Sequence, residues 1–265
     1  MNAYDALNAY YTSRNEDERF DARHNSVEYL TTMDYILRYL RQGDRILEIG
    51  AGSGRYSHAL ARLGHRVDAV ELIPRNIELF REKTEPGEDV SIREGTATDL
   101  SCFGDGTIDM TLLLGPMYHL FTEAEQKKAL SEAVRVTRPG GLVYAAYTMN
   151  EGTVVSFGFM KHNILACLEA GKIDRETFRC FSEPDDLFVL WRREDIFALA
   201  ASLPVRRLHF VGTDMFTNYF REAVNAMSAE EFDAWLAYHR AICGRDDLVG
   251  LSFHTLDILR KEGDA

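Results

Sequence analysis

The chain is predicted to be an α/β protein: doubly wound, with a seven-stranded, mostly parallel sheet, an antiparallel last strand, and helical insertions forming a lid. Three observations carry this. Short apolar runs of strand type alternate with helical periodicities between residues 45 and 149. The run Thr107 to Leu114 is almost continuously apolar, as a strand covered on both faces must be. Segments 205–211 and 251–260 alternate, which suits neighbouring antiparallel strands that need no crossover helix of standard length.

Taken in order, residues 1–44 read as an N-terminal helical cap. Asn25 with Glu28 marks a helix start, Val27, Leu30, Met33, Leu37 and Leu40 mark one apolar face, and Gly43-Asp44 marks the stop. Residues 45–149 form the α/β core. Arg45 to Ile49 is a buried-type strand followed by a Gly-rich turn and a helix carrying Tyr56, Leu60 and Leu63, which Gly64 ends. Val67 to Leu72 is the second strand, and Pro74 opens the next helix, with Ile77 and Phe80 facing in. Val90 to Ile92 and Thr107 to Leu114 are the third and fourth strands. Thr122 with Glu125 is a capping box for a helix through Val134, Arg138-Pro139-Gly140-Gly141 is a turn, and Leu142 to Thr148 is the fifth strand.

Beyond Met149 the alternation fails. Residues 150–203 read as a helical insertion or lid, with helices at Ile164–Ala170 and Leu187–Ala201. Residues 204–265 supply the remaining strands, interrupted by a helical insertion at about 214–248 in which Ser228 and Glu231 mark a helix start.

Composition narrows the function. The 265 residues carry 30 basic and 42 acidic side chains, a net charge of -12, with Lys and Arg never running longer than a pair. A protein that neutralises many phosphates needs a basic stripe, so a nucleic-acid substrate is not expected. No apolar run approaches a membrane span and no signal-type start is present, which predicts a soluble, cytoplasmic protein, monomeric or homodimeric. Four dispersed cysteines fit reduced thiols. His239 and Cys243 are spaced for one helix face, but two ligands do not make a metal site, so none is expected.

The most informative stretch is Ile46-Leu47-Glu48-Ile49-Gly50-Ala51-Gly52-Ser53-Gly54-Arg55. A strand ending in a glycine turn that opens a helix is a ligand-binding edge of a doubly wound sheet. The spacing is G-x-G-x-G. A dinucleotide fingerprint needs glycine where Arg55 stands, and a Walker loop needs a Gly-Lys pair that is absent. Glu71 ends the following strand, where a carboxylate accepts from both hydroxyls of a ribose.

At these residues the sequence resembles the class I S-adenosylmethionine-dependent methyltransferases, of Rossmann-like fold. The resemblance makes residues 45–149 the cofactor-binding core. It implies S-adenosyl-L-methionine as cofactor, held by Glu48, Gly50, Ala51, Gly52, Gly54, Glu71 and Leu72. Glu94 to Leu100 resembles the family's adenine-binding loop, with Thr96 in place of its usual first acid and Ala97 offering its backbone N–H. Leu114 and Gly115 end the fourth strand beside the cofactor, and Arg135 to Gly141 resembles the turn before strand five. Residues 44–149 match strongly and 205–260 loosely.

Chemistry is expected at the mouth after strand four. Gly115-Pro116 turns the chain, so His119 is the candidate base and Tyr118 the candidate lining of the acceptor pocket; each also reads as a packing residue. His65 and His254 read as surface or packing residues. The segment Tyr10-Tyr11…Arg14…Arg19…Arg23-His24 resembles a lid, in which Tyr11 and Arg23 meet the cofactor's carboxylate or an anionic acceptor, or else it is an ordinary solvated helix. The aromatic residues of the two insertions suit the remaining walls of the pocket. The function expected is methyl transfer to a small-molecule acceptor at O, N or S; the alternatives are a non-catalytic cofactor-binding or interaction domain, and methylation of a macromolecule.

Overall fold

The computed structural model describes residues 3–13 and 22–263. Helix α1 spans Ala3–Thr12 and α2 spans Arg23–Tyr39. The core then alternates: β1 Arg45–Ile49, α3 Arg55–Arg62, β2 Arg66–Glu71, α4 Pro74–Lys83, β3 Val90–Glu94, β4 Ile108–Leu113, α5 Glu123–Val136 and β5 Thr137–Met149. A short helix α6, Asn150–Thr153, runs into π-helical turns at Val154–Phe159, and α7 spans Ile164–Glu169. After β6, Leu190–Trp191, come α8 Arg193–Ala200, β7 Val205–Gly212, α9 Arg221–Ala226, α10 Ala229–Ile242 and β8 His254–Lys261.

The sheet has the order β3-β2-β1-β4-β5-β8-β7, with β6 pairing beside β5. Strands β1 to β5 pair in parallel, and β8 runs antiparallel to both β5 and β7. The expected antiparallel last strand is therefore inserted between the fifth strand and β7. Period-two patterning decides the two faces. Leu47, Ile49, Val143, Ala145 and Tyr147 pack with Leu130 and Ala133 of α5 and Ile196 and Leu199 of α8. Their neighbours Ile46, Leu142 and Tyr144 face the other way, against Ile36 of α2, Leu60 of α3 and Ile242 of α10. Each such apolar side chain, fully buried, contributes ~1.5–3 kcal/mol against the entropy of ordering the chain.

The structure corrects four local expectations. Among the described residues a short eighth strand joins the seven expected, because Leu190–Trp191, expected inside a helix from Leu187, pairs with Thr148 and Met149. Leu187 has φ 67, which no helix continues through, and Val189 N–H donates to Tyr118 O while Thr148 Oγ1 donates to Val189 O. The helical character at the end of 150–203 belongs to α8, whose Ile196 and Leu199 sit in the core. Helix α2 begins at Arg23 without a side-chain cap, ahead of Asn25. The turn at Arg138–Gly141 lies within β5 as a register shift between Ile108 and Met110, with Gly140 at φ 77. The capping boxes Thr122–Glu125 and Ser228–Glu231 form as expected.

Candidate active site

The C-terminal ends of β1, β2 and β4 open onto a cavity of about 210 Å³. A second cavity, behind Asp109 and Arg138, measures about 40 Å³, too little for more than a solvent molecule or two. The larger one sits where the strand order reverses direction, the place where doubly wound sheets take ligands.

Its floor is backbone. Gly50 and Gly52 have φ 72 and 57, conformations that glycine adopts without strain. A Cβ on Gly50 would lie 2.8 Å from Pro116 Cδ, so the loop after β1 and the loop after β4 approach closely only because that atom is missing. A Cβ on Gly52 would stand in open space, where an incoming ligand needs the room. Glu71 fastens this floor from β2: Oε2 accepts from Gly52 N–H at 2.7 Å, and Oε1 accepts from Leu72 and Ile73 N–H at 2.9 and 2.8 Å. Burial pushes the Glu71 carboxyl up, and these donors oppose that shift. Glu48, buried beneath the loop, accepts from both the N–H and the hydroxyl of Ser57, yet burial still pushes its pKa up to about 8.

Of the residues expected to hold the cofactor, Glu48, Gly50, Ala51, Gly52, Glu71, Leu72, Thr96, Ala97, Leu114 and Gly115 all line the cavity. Gly54 does not. At φ 88 it begins α3, and a Cβ there would meet Phe80 at 2.5 Å and His58 at 2.6 Å, so its part is to let the helix start against the core.

Tyr118 and His119 also line the cavity, as does Tyr11. Tyr118 Oη donates to Leu114 O at 3.1 Å. His119 has both nitrogens engaged. Leu187 O accepts from Nδ1 at 2.8 Å, and because a carbonyl only accepts, Nδ1 carries the proton. Nε2 is then the acceptor for Tyr11 Oη–H at 2.8 Å. Burial pushes the pKa of His119 down to about 4, so at neutral pH it is uncharged and a weak base. Tyr10 and His119 both pack on Phe188, at 5.8 and 5.2 Å between ring centres, so α1 is clipped over the cavity.

Arg23 is not at the cavity: its guanidinium lies over the Phe232 ring at 5.8 Å. Arg14 and Arg19 lie outside the described residues. The insertions do not build the expected walls. No residue of 150–203 or 214–248 lines the cavity; Thr213, just ahead of the second insertion, does, while Leu187 and Phe188 act by holding His119 and α1. His254 is not a surface residue but is half-buried against Asp214 and Glu28. Residues missed from sequence include Leu7, Glu28, Thr32, Tyr56, Asn76 and Thr213. Except for Tyr56, which follows the glycine turn on α3, they come from helices and loops remote from that turn, and no local spacing marks them.

A mostly parallel sheet whose first strand ends in this glycine floor, with an acid closing the second, is the arrangement of nucleoside-binding α/β folds. Residues 47–145 match the family model described as a methyltransferase domain. Over 140 residues the chain is 39% identical to a ubiquinone biosynthesis O-methyltransferase of Methylocella silvestris, covering 52% of each chain. It is 34% identical over 101 residues to a demethylmenaquinone methyltransferase of Clavibacter sepedonicus, covering 38% of this chain and 40% of that one. The chain thus spans about half the length, or less, of the curated relatives it matches. A solved S-adenosylmethionine-dependent methyltransferase from Methanosarcina mazei superposes with a TM-score of 0.59 at 17% identity, over 87% of this chain and 98% of that one. The matched segment is similar to methyltransferase domains, and the fold is that of S-adenosylmethionine-dependent methyltransferases, whose cofactor is S-adenosyl-L-methionine. The open space over Gly52 and the carboxylate of Glu71 at the β2 end fit its nucleoside.

Proposed function

We propose that this protein transfers the methyl group of S-adenosyl-L-methionine to a small-molecule acceptor at O, N or S. One observation carries the reading: the glycine floor, the Glu71 carboxylate and the Tyr11–His119 cover all line one cavity. When bound, the cofactor supplies an electrophilic methyl group on a sulfonium. The chain's own residues then have four tasks. Glu71 accepts from the ribose hydroxyls, and Thr96 and Ala97 border the adenine. Gly50 and Gly52 allow close approach of the backbone. Leu114 and Gly115 flank the reacting centre at the end of β4. Tyr11, Tyr118 and His119 close the methyl side and exclude water, which holds the acceptor in line with the methyl group. Its low pKa supports a positioning role for His119, as a neutral hydrogen-bond acceptor at Nε2, over that of a general base.

The cover of α1 and the net charge of -12 favour a small acceptor over a nucleic acid. Among the described residues no helix is long and apolar enough to cross a membrane. We place the protein in the cytoplasm, as a monomer or homodimer. The names of its relatives make quinones and their precursors the first acceptors to try. The test is calorimetry with S-adenosylhomocysteine, followed by labelled-methyl transfer into pooled metabolites and quinone precursors. Saturable binding with labelled product is expected. Binding without product from any pool would leave a nucleoside-binding domain and overturn the enzymatic reading.

A further inference from the structure

Along the sheet edge the cavity runs from Glu71 at β2, past Gly50 at β1 and Leu114 at β4, to Ala146 on β5 and Thr213 after β7. If the nucleoside occupies the β2 and β1 end, as proposed above, the β5–β7 end is left for the acceptor. Two polar side chains stand there. Glu28 of α2 lines the wall. Thr213, 2% exposed, lines it too, and its hydroxyl has no hydrogen-bond partner among the described residues.

Behind Glu28 is a built support. Its Oε2 lies 3.5 Å from Nδ1 of His254, and that nitrogen donates to Asp214 Oδ2 at 2.7 Å. Asp214, 1% exposed, is saturated. Oδ1 accepts from Ser252 Oγ, Phe253 N–H and His254 N–H at 2.7, 2.8 and 3.1 Å, and Oδ2 also accepts from Asn218 Nδ2 at 2.6 Å. Gly212 makes this possible, because a Cβ there would lie 2.8 Å from Ser252 Cβ. The three ligand-type atoms of Glu28, Asp214 and His254 fall within 4.8 Å of one another, close enough to hold a metal ion. The bonding argues otherwise. An Nδ1 that donates at 2.7 Å has no lone pair for a metal, and the Asp214 oxygens already serve five donors.

We propose that Glu28 and Thr213 form the acceptor-binding pole of the cavity, with His254 and Asp214 as positioning residues. The pole takes the acceptor as a hydrogen-bond donor, an amine or a hydroxyl, and rejects anions. A carboxylate offers only acceptor atoms, so an amine or hydroxyl completes it while an anionic oxygen meets like charge without a proton between them. The Thr213 hydroxyl gains the partner it lacks.

The test uses the full chain saturated with S-adenosylhomocysteine and three aromatic probes in calorimetry: phenethylamine, catechol and benzoate. At least one of the first two is expected to bind tenfold or more tightly than benzoate. Glu28→Gln should erase that preference while leaving nucleoside affinity within twofold, and Thr213→Val should weaken the preferred probe severalfold. The proposal is overturned if benzoate binds as well as the others, if neither donor probe binds, or if neither variant changes the ratio. It is also overturned if Glu28→Gln chiefly weakens the nucleoside, which would place Glu28 at the other ligand, or if zinc alone binds tightly and His254→Asn abolishes it. Failure of wild type to bind S-adenosylhomocysteine would instead sink the cofactor reading. Thermal melting checks that each variant folds, and Thr213→Val keeps the test open should Glu28→Gln not.

Discussion

The two ends of the cavity are built by different means. At the β2–β1 end the ligand-facing groups are largely backbone, from the glycine turn after β1, and the Glu71 carboxylate at the end of β2 fastens them by accepting from three N–H groups. At the β5–β7 end they are side chains from α2 and from the loops around β7 and β8, joined through Asp214 and His254. The first end depends on local conformation, which short stretches of sequence encode. The second depends on long-range packing, and so a change there should leave the first intact.

The strongest way to break the comparison is at the local end. Gly54→Ala puts a side chain at φ 88 and drives it into His58 and Phe80. The left-handed penalty of about 1–2 kcal/mol and overpacking of about 1–3 kcal/mol add to roughly 2–5 kcal/mol. At about 2–4 °C per kcal/mol, melting should fall by roughly 4–20 °C. An unchanged melting temperature would show that the turn is not under this constraint.

Glu71→Ala is the next step down. It removes the proposed ribose acceptor and strands the N–H groups of Gly52, Leu72 and Ile73. The loss in nucleoside affinity should be on the order of 1.5–3 kcal/mol, the range for hydrogen bonds to a charged group. Calorimetry giving equal affinity for wild type and variant would remove Glu71 from that role.

This contrast also explains what the sequence made legible. Gly50, Gly52 and Glu71 sit on a strand–turn–helix whose spacing dictates its shape, so the floor could be read residue by residue. Gly54 was placed with the wrong partner, since a glycine spacing records a positive φ but not whether the space beside it holds ligand or Phe80. Glu28 entered the sequence reading only as a helix-start signal, and His254 as a surface or packing residue, because nothing local to either shows that β8 returns beside β5 and brings them together. Strand β6 was missed because two residues are too few for a periodicity, and what places them is pairing with Thr148 and Met149 beside Val189, which donates to Tyr118 O and accepts from Thr148 Oγ1.

Tyr11→Phe tests the cover that spans both ends. It deletes the donor to His119 Nε2 and leaves the ring on Tyr10. One neutral hydrogen bond is worth about 0.5–1.5 kcal/mol, so stability should fall by no more than about that amount. Amide exchange in α1 should rise while exchange in β1 and β4 stays the same. Equal exchange in α1 would mean that packing on Phe188 alone holds the helix.

The last effect expected is on the pH dependence of stability, and it isolates His119 from its surroundings. Burial lowers its folded pKa from 6.5 to about 4. Between those values the unfolded chain binds a proton at this residue that the folded chain does not, so stability rises with pH across the window. The contribution is therefore present above pH 6.5 and is lost as pH falls towards 4. His239, buried in α10 and also lowered to about 4, adds a second slope of the same sign. His119→Gln keeps an amide that still bonds Leu187 and Tyr11 but cannot titrate. Chemical denaturation from pH 7 to pH 4 should show a shallower decline for this variant than for wild type, and His119→Gln combined with His239→Gln should be shallower again. Parallel curves for wild type and His119→Gln would mean that the imidazole is protonated at its ordinary pH in the folded protein, and would return it to the candidates for a general base.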